Sequence, residues 1–287
     1  MADGNSIINL GDLAKPATVL IEKVSNAVGV LYEPRRIRKK AEAEAEAEKI
    51  KALAGIELSE IQQRGIERLV HQEARKQENI ENITAKAAAE LPPNAKTEEL
   101  EEDWIAHFFD RCDKVSNEQM QSLWSRLLAG EATNPGTYSK RTIDFIATMD
   151  KSDADLFTNF CQFIWMIGGE TPLIFDPQAD VYTSQGINFS SLKHLDSIGL
   201  ISFESVSGYS KLRLPKQALL FYYGLPTVAE FPKDQDNQMS VGHVLLTQAG
   251  RELVNICGSQ RNQMFYEYAI SELSKQNIIL SSALPNK

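Results

Sequence analysis

Between residues 11 and 50 the chain changes physical character twice without a break. GDLAKPATVLIEKVSNAVGVLYE (11–33) is apolar on one side. PRRIRKK (34–40) then sets Arg35, Arg36, Arg38, Lys39 and Lys40 inside seven residues. AEAEAEAEKIKA (41–52) follows, built from good helix formers with a charged, solvated side. This order limits what the N-terminal part can become. An apolar helix running straight into five cations suits an anionic surface or a lipid headgroup layer.

Leu13, Ala17, Leu20, Ile21, Val24, Val28 and Leu31 recur three or four residues apart, which predicts one helical face over 11–33. Pro16 falls in the first turn, where proline is tolerated, and Pro34 ends or kinks the helix. Two readings of this segment follow. It docks on its own domain or on a neighbouring subunit, or it engages a membrane. For the second reading, Leu20, Ile21, Val24, Val28 and Leu31 are the candidate lipid or subunit contacts. Arg35, Arg36, Arg38, Lys39 and Lys40 are the candidates for headgroups or an acidic surface. Each such cation is worth on the order of 1 kcal/mol at an anionic leaflet. Asp12 and Glu22 weaken the attachment, and Glu42, Glu44, Glu46 and Glu48 screen it. Many copies together would strengthen it through effective concentration.

The rest of the chain makes the basic cluster stand out. Net charge is −9 and the pI about 5.1, which disfavours wholesale nucleic-acid binding. No aromatic side chain is interleaved with the cluster as a stacking platform. With 287 residues, 43% of them hydrophobic, the chain can build a core, and its length suggests two domains. Cys112, Cys161 and Cys257 lie far apart in apolar contexts, with neither metal-ligand nor disulfide spacing. They fit a reducing compartment. The N-terminus carries no signal-peptide pattern, and no run reaches the ~18 uninterrupted apolar residues of a spanning helix. The expected location is therefore the cytoplasm, with recruitment to the inner membrane as the variation on it.

Five regions are predicted: an amphipathic segment (1–34), long charged helices (35–93), a helical bundle (94–168), a winged-helix-like α+β domain (169–258), and a last helix with a loose tail (259–287). The fold class is mainly α with a smaller α+β part. In the second region Ile61, Ile66, Leu69, Val70, Ile80 and Ile83 form a sparse apolar stripe, which points to a partner helix rather than a deep core. In the bundle, Ser116 and Gln119 suggest a capping box, Gly130 a helix end, Asn134-Pro135-Gly136 a turn, and Ser152 with Asp155 the start of a helix reaching Gly169. Its expected core is Trp104, Phe108, Phe109, Trp124, Leu127, Leu128, Phe145, Phe157, Phe160 and Trp165. Beyond it, FSSLKHLDSIGLI reads as a helix entering a strand, Val206–Tyr209 as a hairpin turn, 223–242 as a long surface loop, and VLLTQAGRELVNICG as strand then helix.

Catalytic patterns are missing. There is no GxxxxGK[ST], HExxH or GxSxG, and His71, His107, His194 and His243 are scattered without ligand spacing. Glu46-Ala-Glu48-Lys49 imitates part of a nuclease pattern but sits in the charged repeat. No catalytic, cofactor or metal residue is assigned, and no cofactor is expected. The predicted wing holds only Lys211 and Arg213, and the predicted recognition helix is near neutral, so nucleic acid is disfavoured there too.

The run LWSRLLAGEATNPGTYSKRTIDFIATMDKSDADLF (123–157) resembles a motif of an uncharacterised bacterial domain family: a tryptophan, a leucine pair with Ala-Gly-Glu, Pro-Gly, Ser, Arg-Thr, then an Asp-Ala-x-x-Phe helix. The N-terminal stretch 16–52 and the pair LKHLDSIGLI and LLTQAGREL fit the same family. More loosely, the run is similar to the abortive-infection alpha family of phage-defence proteins. That resemblance implies an effector that senses a phage component and then stops its own cell. The expectation is thus a non-enzymatic, homo-oligomeric anti-phage effector with a phage-protein trigger and membrane lipid as partners. The alternatives are a soluble oligomeric scaffold or adaptor, and a winged-helix DNA-binding regulator. Within the motif, Glu131 beside the turn is expected to hold backbone N–H groups or a basic side chain.

Overall fold

The computed structural model describes residues 14–29 and 60–282, in two compact units, Met1–Ala147 and Thr148–Lys287. The boundary falls inside the stretch 94–168 that the sequence reads as one bundle. Phe157, Phe160 and Trp165 accordingly belong to the core of the second unit.

The described residues of the first unit are helical: α1 (Lys15–Val28), α2 (Glu60–Glu90), a single 3-10 turn (Thr97–Glu99), α3 (Glu102–Cys112), α4 (Glu118–Thr133) and α5 (Lys140–Ala147). α1 opens with proline in its first turn and stops at Gly29, whose φ of +71° closes it in the left-handed conformation. It is therefore shorter at its C-terminal end than the apolar spacing predicts. Of the expected core, Trp104, Phe108, Phe109, Trp124, Leu127 and Leu128 are buried here, while Phe145 is only half-buried. Trp104 stacks on Phe108, and Phe108 meets Trp124 edge-on, both at 5.2 Å between ring centres.

Two expectations at α4 need correction. Its cap is Asn117, whose side chain accepts from the N–H groups of Gln119 and Met120 at 3.1 Å. It also runs through Gly130 rather than ending there. Gly130 is glycine for a different reason: a Cβ would lie 2.7 Å from the Tyr138 ring folded onto the helix.

The second unit mixes helix and strand. α6 (Lys151–Cys161) begins at Asp150, whose N–H donates to the Asp153 carboxylate at 3.3 Å, instead of at Ser152. It ends at Cys161, and the chain enters β1 (Ile164–Met166) rather than continuing as helix to Gly169. β2 (Glu170–Pro172), the short helix α7 (Asp180–Thr183), α8 (Phe189–Ser197), β3 (Ile201–Phe203), β4 (Tyr209–Leu214), β5 (Gln217–Tyr222) and β6 (Leu225–Glu230) follow. Then come β7 (Asn237–Gly242), β8 (Val244–Leu246), α9 (Gln248–Val254), α10 (Gln263–Ser274) and β9 (Ile279–Ser282).

An antiparallel five-stranded sheet has the order β2-β1-β5-β6-β9. The segment 223–242 is thus no surface loop, because β6 and β7 lie in it. Of the tail expected to be loose, residues 279–282 form β9, which pairs with β6 from Thr227–Ser282 to Glu230–Ile279, and 283–287 lie outside the described residues. β3 pairs with β8, and β4 with β7. Residues 206–209 therefore join strands that share no ladder with each other, in place of the expected hairpin turn. The helix–strand and strand–helix pieces α8–β3 and β8–α9 are present as read, inside a mixed α+β unit.

Two glycines fix this unit where backbones nearly touch. At Gly242 (φ +88°) a Cβ would fall 1.9 Å from the Ile174 carbonyl oxygen. That carbonyl accepts the His243 N–H at 2.8 Å. At Gly250, at the start of α9, a Cβ would fall 2.1 Å from the Leu200 carbonyl oxygen. Thr247, the cap of α9, donates its hydroxyl to the Gly199 carbonyl at 2.7 Å and to that of Leu200 at 3.0 Å. SIGLI and LLTQAGREL are thus built against each other.

Candidate functional site

In α1, the residues predicted to touch lipid or another subunit divide by position. Leu20, Ile21 and Val24 are buried together with Ala17, in a helix packed against α2, the 3-10 turn and α3. Val28, at the end of α1, is half-buried. Leu31, Arg35, Arg36, Arg38, Lys39 and Lys40 lie outside the described residues. Lys23 reinforces the docking by donating to the Leu100 carbonyl at 2.7 Å, while the Lys15–Glu98 pair at 3.1 Å is exposed and worth little. Burial of Leu20, Ile21 and Val24 stabilises this position by roughly 6 kcal/mol, at about 2 kcal/mol each. Lipid contact through this face requires α1 to leave its place.

α2 is two helices in one. From Asn79 onward it is built into the fold: Asn79, Ile83, Thr84, Ala87 and Ala88 are buried. Asn79 donates to the Asp113 carbonyl at 2.8 Å, and Gln121 donates to Asn79 at 3.1 Å and to the Val115 carbonyl at 2.9 Å. Before Asn79 the helix stands in solvent. Ile61, Leu69 and Val70 are exposed and Ile66 is half-buried. Local pairs hold this part helical, among them Glu60–Arg64 at 3.4 Å and Glu73–Lys76 at 2.9 Å. The apolar stripe read from the sequence therefore splits, with Ile83 in the core and Ile61, Leu69 and Val70 in the open. A shallow cavity of about 280 Å³ beside this part is lined by Gln72, Arg75, Lys76 and Lys114. Lys76 is already paired there with Glu73 and, at 3.6 Å, Asp113.

The run 123–157 organises a turn. Glu131 is buried and accepts from the N–H groups of Gly136 at 2.6 Å and Tyr138 at 2.8 Å. The Tyr138 carbonyl accepts from Trp104 Nε1 at 2.8 Å. These bonds pin 134–138 onto α3 and α4, as the sequence predicts for an acid in that place, and they specify fold rather than chemistry.

Elsewhere, several titratable groups are engaged with one another. His107 and Arg111 both reach Asp144, at 3.1 and 2.7 Å, and the Arg111 guanidinium holds the Asp144 carboxyl below its ordinary value. His194 meets Asp153 at 2.7 Å, and Lys193 meets Asp196 at 3.2 Å. Lys211 donates to the Ile167 carbonyl, and burial lowers its pKa. Burial pushes the Cys112 and Cys161 thiols well up. Among the described residues, no group of three or more His, Cys, Asp or Glu could hold a metal ion, and no helix is long and apolar enough to cross a membrane.

One surface was missed by the sequence reading. β5, QALLFY, is apolar at both parities of a strand. That pattern asks for cover on both faces of the sheet and could have been noticed.

No curated protein and no solved structure matches the chain. Residues 63–270, well over half of it, match the model of the family described as "Protein of unknown function (DUF2806)", and the chain belongs to that uncharacterised family.

Proposed function

We propose that this chain is a non-enzymatic assembly protein whose copies pair through the solvent-facing part of α2. The observation that carries this is the split in α2, where one stripe is core in its C-terminal half, uncovered at Ile61, Leu69 and Val70 and half-buried at Ile66. A second copy is the occupant that charge favours. Residues 60–78 hold four acids (Glu60, Glu67, Glu73, Glu78) and four bases (Arg64, Arg68, Arg75, Lys76), so two such helices can interleave opposite charges in a chain of net −9. Sedimentation of the full chain against a Leu69→Glu, Val70→Glu variant tests this. The expected result is an at least twofold drop in mass with helix content retained. An unchanged mass would exclude pairing through α2.

The second reading is an anti-phage effector, abortive-infection-like, that perturbs the inner membrane after a trigger frees α1. Two features support it: the apolar face of α1 leads in sequence straight to Arg35, Arg36, Arg38, Lys39 and Lys40, and 123–157 resembles phage-defence proteins. The informative variant leaves the buried face alone. Replacing Arg35, Arg36 and Arg38 by Gln should lower leakage from anionic vesicles and spare thermal stability. Wild-type protein that causes no leakage would remove the membrane role. The DNA-binding reading of the winged-helix-like part has the least support, because Lys193 and Lys211 are occupied within the unit.

A further inference from the structure

The five-stranded sheet of the second unit has two unlike faces. Trp165, Leu220, Tyr222, Thr227 and Ala229 are buried on one, where Tyr266 of α10 stacks on Trp165 and Tyr222. The opposite face carries Met166 (42% exposed), Leu219 (49%), Phe221 (36%) and Ile279 (68%). Pro226 and Val228 are half-buried between them. The register makes the patch continuous: Met166 lies opposite Phe221, Phe221 opposite Pro226, and Leu219 opposite Val228, while Ile279 sits opposite Glu230 at the next outward-facing pair. An antiparallel sheet facing water ordinarily alternates apolar and polar residues. Here Leu219 and Phe221 point outward while Leu220 and Tyr222 point inward. A contiguous uncovered apolar patch marks an interaction site.

We propose that this face is a second self-interface, on which another copy of the chain packs sheet against sheet. Two arguments favour that occupant. A sheet face is nearly flat, and a two-fold contact needs a patch complementary to itself, which a flat apolar surface supplies. The middle of the face bears no charged residue, since Glu170 and Glu230 stand at its margins. Two chains of net −9 can therefore meet here without opposing like charges. Ile164 and Pro172 on the same face are buried, so the open part spans β5, β6, β9 and the end of β1. With strands about 4.8 Å apart and about 3.4 Å per residue, that is on the order of 300 Å² per copy. The total of about 600 Å² lies below the roughly 1,200 Å² of stable complexes, so the contact is weak by itself. It becomes populated once copies are held together, and here it rests on the pairing through α2 as the source of local concentration. Two separate two-fold contacts on one chain carry assembly past the dimer.

The test is sedimentation of the full chain over a wide concentration range in four forms: wild type, Leu219→Thr with Phe221→Thr, Leu69→Glu with Val70→Glu, and all four changes together. Threonine keeps strand propensity, and thermal melts control for folding. Wild type is expected to exceed the dimer with rising concentration. The sheet variant should stop at the dimer, a twofold or greater loss of mass at the top concentration. The α2 variant should dimerise only at the highest concentrations, and the combined variant should stay monomeric. A sheet variant that assembles like wild type at every concentration overturns the proposal, whatever the α2 variant does. So does a sheet variant that melts clearly lower as a monomer, because the face would then be covered within its own chain. An α2 variant of unchanged mass fails the pairing proposal alone and leaves the sheet result readable.

Discussion

The first unit is organised by side chains and the second by backbone. In the first, helical faces carry the information. Ala17, Leu20, Ile21 and Val24 recur along α1, Trp104, Ile105 and Phe108 along α3, and Leu123, Trp124, Leu127 and Leu128 along α4, and all are buried. In the second, the chain closes where main chains nearly collide, at Gly242 against Ile174 and at Gly250 against Leu200. Side-chain packing tolerates some substitution if volume is kept. A backbone contact that leaves no room for a methyl group does not. The two units should therefore fail differently under mutation.

The largest effect is expected at Gly242. Gly242→Ala places a carbon 1.9 Å from a carbonyl oxygen and also requires a φ of +88°, so the contact between β7 and Ile174 must open. The loss should be on the order of 4 kcal/mol or more. Thermal melts should show the second unit unfolding early while the first keeps its transition. The contrasting change is Gly65→Ala in the exposed part of α2, where nothing lies within 4 Å of the new methyl group, and it should stabilise by up to about 1 kcal/mol. A Gly242→Ala protein with an unshifted melt would erase the distinction between the units.

Next in size is a contrast within the first unit. Leu20→Ala removes a fully buried side chain of α1 and should cost about 2–4 kcal/mol by urea titration. Leu69→Ala, on the uncovered stripe, should stay within about 0.5 kcal/mol and change assembly instead. If Leu20→Ala were as mild, α1 would be only loosely docked, and its release to a membrane would need little driving force.

What the sequence could tell follows the same division. The helices of the first unit and most of its core were legible, because a 3.6-residue apolar repeat depends only on near neighbours along the chain. Glu131 was legible because an acid beside an Asn-Pro-Gly turn has few things to bond. The pairing of β4 with β7, and of β9 with β6, was not. Those partners are 23 or more residues apart, and short strands between turns give no local sign of which ladder they join. The helix predicted to reach Gly169 failed for a related reason. FCQFIWMI is apolar enough for either structure, and tertiary pairing of Met166 with Phe221 decides for strand. Of the candidate attachment site, the apolar face of α1 was legible but its burial was not, since the same periodicity serves lipid, a partner or the chain's own core.

A medium effect separates clamp from filler at Glu131. Glu131→Gln keeps the shape but removes the charge that strengthens two backbone N–H bonds, and it introduces an amide donor beside them. The expected cost is about 1–2 kcal/mol, with faster proteolysis in 134–138. Glu131→Asp, too short to reach both N–H groups, should cost at least as much. Equal stability of all three would mean that the turn is held by Tyr138 and Trp104 alone.

The smallest effect lies at the surface of the same unit and carries a sign that can be checked. Arg111 bonds Asp144 at 2.7 Å, and His107 approaches the same oxygen at 3.1 Å. The guanidinium holds the folded-state carboxyl below its ordinary value of 3.8. A carboxyl depressed by folding adds stability above its unfolded value and loses it as pH falls through the folded one. The melting difference between wild type and Asp144→Asn should thus be full above pH 3.8 and shrink below it. Because the Asp144 side chain is about half exposed, solvent screens the pair, and the shift should be on the order of 2 °C, smaller still in high salt. A difference that persists undiminished into strong acid would show that Asp144 acts through its neutral hydrogen bonds, and the link from α3 to α5 would then be packing rather than charge.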